Sequence, residues 1–128
     1  MPLHCVVSES EHLVTMRTEG AVTFPDLQAF LTDMRARSAT SYRKLLDARE
    51  GHLVLSEDEL ASYERQSIEC AVYDRLGPYA IVATEASKQA HAALLTLLLS
   101  NTRRPSGLFS SPTDAYEWLL TQAVPGKL

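Results

Sequence analysis

The chain predicts an α/β fold: one mixed, largely parallel sheet with an N-terminal hairpin and four helices. Three observations carry this. Short β-prone runs alternate with amphipathic segments in the order β-β-α-β-α-β-α-β-α, the pattern of strands joined by helical crossovers. The run Tyr79 to Thr84 (YAIVAT) is almost wholly apolar, as a strand covered on both faces must be. Helix starts are written out at Thr23, Ser56 and Ser111, each a hydroxyl residue followed three positions later by a carboxylate.

In chain order, His4 to Ser8 and Leu13 to Thr18 form the hairpin around the polar Glu9 to His12. Val14 and Met16 point one way, and Leu13, Thr15 and Arg17 the other. Gly20 breaks the strand pattern, and Ala21-Val22 lead into the first helix. Thr23, Pro25 and Asp26 open that helix, and Leu27, Phe30, Leu31 and Met34 give it a core stripe at i, i+3, i+4, i+7. The stretch from Tyr42 to Tyr63 organises the rest. Lys44 to Asp47 is the central strand, a charged loop follows, and Ser56 to Glu59 caps a second helix running to about Asp74. Its expected buried side is Leu60, Tyr63, Ser67, Ile68 and Ala71.

After the Tyr79 strand, a third helix is expected over about Ser87 to Asn101. Leu108-Phe109 makes a short strand near an edge, and Ser111 to Asp114 starts a final helix with Ala115, Trp118 and Leu119 on its apolar face, Trp118 being expected in the core. The 128 residues fit a single domain spanning the chain.

Composition narrows the function. A net charge of -4 argues against a nucleic-acid binder, which needs a basic face. No stretch approaches the roughly 20 apolar residues of a membrane span, and the N-terminus MPLHCVV does not read as a signal peptide. A cytoplasmic protein is expected, with Cys5 and Cys70 as buried thiols. His4, His12, His52 and His91 lack metal-ligand spacing, and no phosphate-binding glycine loop or GxSxG elbow is present, so no cofactor or metal is expected. A phosphoacceptor site built on Asp47 would need an acidic pair after the first strand and a lysine after the last; Gly20-Ala21 and Phe109-Ser110-Ser111 supply neither.

Open α/β sheets place their sites beyond the C-terminal ends of the strands. Asp47, Arg49, Glu50, His52 and Glu85 are therefore the candidate ligand or partner residues, with acid/base chemistry as an alternative use of the same edge. The third helix carries two apolar stripes at about 100° per residue. Ala90, Leu94, Leu97 and Leu98 suit the sheet. Ala92, Leu95 and Leu99 form a second face, expected to make a homodimer contact.

The element order, with LLDAREG at its centre, PYAIVAT after it and FSSPTDAYEWL near the end, resembles the bacterial SpoIIAA-like group, small STAS/SEC14-type domains related to anti-sigma-factor antagonists. The likeness runs from about Val6 to Gln122 and is most specific at Phe109, Asp114-Ala115 and Trp118-Leu119. It implies the fold and a regulatory, non-enzymatic role through a protein partner, with small-molecule or lipid binding as the alternative. The antagonists are switched by phosphorylation of a serine at the start of the helix after the central strand, and Ser56 holds that place. Here Leu55 precedes it and Glu57-Asp58-Glu59 follow, where the antagonists have Asp before and small residues after. A phosphate would face three carboxylates, so Ser56 is expected to act as a helix cap.

Overall fold

The computed structural model describes residues 3–73, 76–90 and 105–123. The strands are β1 (Leu3–Ser8), β2 (Leu13–Thr18), β3 (Ala21–Thr23), β4 (Arg43–Asp47), β5 (His52–Val54), β6 (Tyr79–Val82) and β7 (Ser106–Phe109). The helices among these residues are α1 (Phe24–Ala36), α2 (Glu57–Tyr73), α3 (Glu85–Ala90) and α4 (Pro112–Leu120). Five strands form one sheet in the order β1-β2-β4-β6-β7. Only the β1–β2 hairpin pairs antiparallel; the other three pairings are parallel.

Because side chains alternate along a strand, each central strand feeds two cores. On one face Val14, Met16, Leu46 and Ile81 pack with Leu27, Phe30 and Met34 of α1 and Tyr63 of α2. On the other, Leu13, Leu45, Ala80 and Val82 pack with Ala115 and Leu119 of α4. All four residues of β6 are buried, which is why that strand reads as a continuous apolar run. Burying each large apolar side chain is worth roughly 1.5–3 kcal/mol, so both helical layers contribute to holding the sheet.

Local signals hold at the helix starts. The Asp26 carboxylate accepts the Thr23 backbone N–H and hydroxyl, both at 2.8 Å. Ser111 Oγ accepts from the Asp114 backbone N–H at 3.5 Å. α3 begins at Glu85, two residues earlier than expected, because Thr84 and Ser87 cap reciprocally: Thr84 N–H donates to Ser87 Oγ at 2.7 Å and Ser87 N–H to Thr84 Oγ1 at 3.1 Å.

Several expectations need correction. The loop after Asp47 contains a strand: His52–Val54 pairs in parallel with Ala21–Thr23 as a separate two-stranded sheet. Three residues are too few for a periodic signal, so only the pairing reveals it. Ile68 is 42% exposed, not core; it lies about 140° round the helix from the buried Tyr63 at 100° per residue. Trp118 is half-buried rather than in the core. Its ring leans on Phe109 at 5.5 Å between centroids, over β7 at the rim of the sheet, so one side stays open. Cys5 is exposed because β1 is the opposite edge strand, and the Cys70 side chain falls outside the described residues. So do Ala92, Leu95 and Leu99, and with them the expected dimer face. Among the described residues no helix is long and apolar enough to cross a membrane.

Candidate functional site

The parallel strands end together. Arg17 of β2 stands beside Asp47 of β4, Asp47 beside Val82 of β6, and Val82 beside Phe109 of β7. Counting by twos from the buried Leu13 and Leu45 puts Arg17 and Asp47 on the α4 side of the sheet. This is the end of an open α/β sheet at which ligands bind.

Asp47 is tied down by the residue two ahead of it. Arg49 Nε donates to its Oδ1 at 2.8 Å and Arg49 Nη2 to its Oδ2 at 2.7 Å. The Arg49 backbone N–H adds a third bond to Oδ1 at 3.2 Å, closing an Asx turn. The Arg49 side-chain bonds hold the Asp47 carboxyl below its ordinary range. Partial burial opposes this, and the Arg49 backbone N–H and the charges of Arg49 and Arg17 reinforce it. In turn Asp47 raises the Arg49 guanidinium further. A carboxylate with a depressed pKa and both oxygens in a bidentate fork is a poor proton acceptor.

The loop that carries these groups is fixed from behind. The buried Thr18 hydroxyl donates to the Glu50 carbonyl, and the His52 N–H donates to the Gly20 carbonyl at 2.8 Å. Gly51, at φ +90°, sits where a Cβ would lie 2.8 Å from the Gly20 oxygen, so glycine is needed for both its conformation and its lack of bulk.

Arg17, Asp47, Arg49 and Glu50 line an open cleft of about 420 Å³. Arg17 Nη1 lies 3.5 Å from Glu19 Oε2, an oxygen that is also 3.1 Å from His4 Nε2. Among the described residues the Glu50 carboxylate makes no hydrogen bond or close ion pair, acting on Arg49 only through space.

Of the five edge residues expected from sequence, the cleft gathers Asp47, Arg49 and Glu50. His52 is exposed on β5 and does not line it. Nor does Glu85, whose exposed carboxylate pairs with Lys88 at 3.1 Å along α3. Arg17 was the residue missed. The signal for it is the parallel register, which sets the last charged residue of β2 against the end of β4. At the start of α2, Ser56 N–H donates to Glu59 Oε1 at 2.9 Å and Glu59 N–H donates to Ser56 Oγ at 3.1 Å, a reciprocal capping box.

Among the described residues no three His, Cys, Asp or Glu side chains converge to hold a metal ion. Behind the sheet, a cavity of about 20 Å³ is lined by apolar and aromatic groups including Met16, Phe30, Leu46 and Tyr63. That space is on the scale of one water molecule, far below the volume of an acyl chain.

No family model matches the chain, and no curated protein matches it. Among solved structures, the chain is similar to an uncharacterized protein from the DUF3478 family of Shewanella loihica PV-4, described as having a SpoIIAA-like fold. The TM-score is 0.63 at 16% identity, over 91% of this chain and 93% of that one. The chain has a SpoIIAA-like fold. At this identity the likeness carries architecture and no residue roles. Within the SpoIIAA-like fold, the hydroxyl of Ser56 is engaged at the cap and is followed directly by three acidic side chains in the first turn of α2. Added phosphate there would meet like charge.

Proposed function

We propose that this chain is a non-enzymatic regulatory domain of the bacterial cytoplasm that works by binding a protein partner at the C-terminal edge of its sheet. One observation carries the reading: Asp47, the carboxylate at the end of the central strand, is committed to Arg49, while Arg17 and Glu50 remain open to the cleft. The edge therefore offers charge for recognition, with its central carboxylate already engaged. The resemblance to anti-sigma-factor antagonists supports a protein as the partner.

The test is quantitative co-purification from lysate with wild type and with Arg17→Glu and Glu50→Lys. A partner recovered by wild type should be depleted about tenfold or more by each reversal, with unchanged melting temperature. Equal recovery by all three proteins overturns the reading. The partner contact is also independent of Ser56 phosphorylation in this proposal, since the serine serves as a cap. A homodimer through Ala92, Leu95 and Leu99 completes it. Leu95→Glu combined with Leu99→Glu should halve the mass seen by light scattering, and a wild-type monomer at high micromolar concentration would refute the dimer.

A second reading, a small ligand at the same edge, is favoured by the volume of the cleft, which falls within the range of small-molecule pockets. Its lining is charged throughout, so a polar ligand suits it and a lipid does not.

A further inference from the structure

The charges that line the cleft do not cancel uniformly. Arg49 and Asp47 neutralise each other through a two-bond fork. That leaves Glu50, which has no close partner among the described residues, and Arg17, held only by Glu19 at 3.5 Å, on a lining whose formal charges sum to zero (two arginines, two carboxylates). A simple anion would gain Arg17 but confront Glu50, and a simple cation would meet the reverse. A ligand that carries both charges satisfies both groups.

Two further features favour such a ligand. Arg17 holds Glu19 only at 3.5 Å, whereas a bidentate carboxylate on a guanidinium typically sits at about 2.7–2.9 Å. An incoming carboxylate can therefore take that guanidinium while Glu19 keeps His4 at 3.1 Å. The Glu50 backbone is already fixed by the Thr18 hydroxyl, and its loop is packed on the Gly20 turn through Gly51. Little backbone order remains to be lost on binding, which is the condition for useful affinity from few contacts.

We infer that the cleft binds a small zwitterion of the amino-acid class, with its carboxylate on the Arg17 guanidinium and its ammonium on the Glu50 carboxylate. This rests on the small-ligand reading of the edge and names its ligand class. The role it gives Arg17 and Glu50 is recognition; no bond is made or broken.

The test is titration of the full chain by NMR with L-glutamine, whose neutral side chain adds bulk and no third charge. Acetate and ethylammonium serve as probes carrying one charge each. L-glutamine should bind about tenfold or more tightly than either, and Arg17→Gln and Glu50→Gln should each weaken it by about tenfold. The two variants should keep the wild-type melting temperature. Affinity no better than that of the single-charge probes, or variants that bind as wild type does, overturns the inference. The two proposals fail separately. If L-glutamine does not bind but the charge reversals still deplete a protein partner, the zwitterion site falls and the contact surface stands. If L-glutamine binds as described while partner recovery is unaffected, the opposite holds.

Discussion

The two ends of the sheet use their charged side chains to different extents. At the N-terminal ends of the parallel strands, Lys44 is buried and its ammonium donates to the carbonyls of Ala39, Thr40 and Tyr42 at 2.9–3.0 Å. Around it the Tyr42 hydroxyl donates to Glu9, the Tyr116 hydroxyl donates to Glu11 at 2.9 Å, and Arg43 reaches the Glu11 and Gln122 carbonyls. These bonds tie the hairpin turn, the lead into β4 and the end of α4 together. At the C-terminal ends the Thr18 hydroxyl reaches the Glu50 carbonyl and Glu19 holds His4 at 3.1 Å, while the Asp47–Arg49 fork is local, spanning two residues. Arg17 and Glu50 anchor no distant segment of the described chain through their side chains. A polar group used for folding is recognised by the contacts it makes, whether nearby, as Lys44 makes with Ala39, Thr40 and Tyr42, or distant, as Tyr42 makes with Glu9. Among the described residues Glu50 makes no such contact through its side chain, and Arg17 makes only the 3.5 Å contact with Glu19.

The contrast breaks most visibly at Lys44. Lys44→Met keeps the apolar stem but leaves three carbonyls without their shared donor, and should cost roughly 2–4 kcal/mol in urea unfolding. A loss below about 1 kcal/mol would mean that the N-terminal end is not built on that ammonium. Next comes Ser56→Ala, which removes half of a capping box and should cost about 1 kcal/mol. Ser56→Asp, which also offers an N-cap acceptor, should cost less, and both should leave partner recovery unchanged. Selective loss of recovery in Ser56→Asp at unchanged stability would restore a phosphorylation switch.

The smallest effect is the pH dependence of the Asp47 fork. The folded-state pKa of Asp47 is depressed, so its contribution is fully present above the unfolded value near 3.9 and is lost as pH falls through the folded value. Asp47→Asn should therefore be less stable than wild type at neutral pH, and the gap should close on acidification below about pH 4. A gap that stays constant from pH 7 to pH 3 would show that the carboxylate charge is not what the fork contributes.

How much of this was legible follows from the range of each interaction. Caps at Thr23, Ser56 and Ser111 depend on residues three apart, and the apolar run of β6 depends on a strand buried on both faces; both are written locally. Asp47, Arg49 and Glu50 were legible because a strand end and its loop are contiguous. Arg17 was not, since its place beside Asp47 exists only through the β2–β4 register. Lys44 read as one more polar residue at a strand start; the carbonyls that surround it are gathered by a turn whose shape the side-chain pattern does not encode. Trp118 was placed on the correct face of α4, but periodicity cannot say that the strand beneath it lies at the rim of the sheet. His52 and Glu85 shared the edge in sequence order and not in space.

Under the proposed function the fold does not depend on the side chains of Arg17 and Glu50. The direct measurement is urea unfolding of the Arg17→Gln, Glu50→Gln double variant beside wild type. The unfolding free energies should agree within about 0.5 kcal/mol, as for exposed groups held by no more than a loose surface ion pair. A loss of about 2 kcal/mol or more would contradict this, because those side chains would then belong to the architecture as Lys44 does.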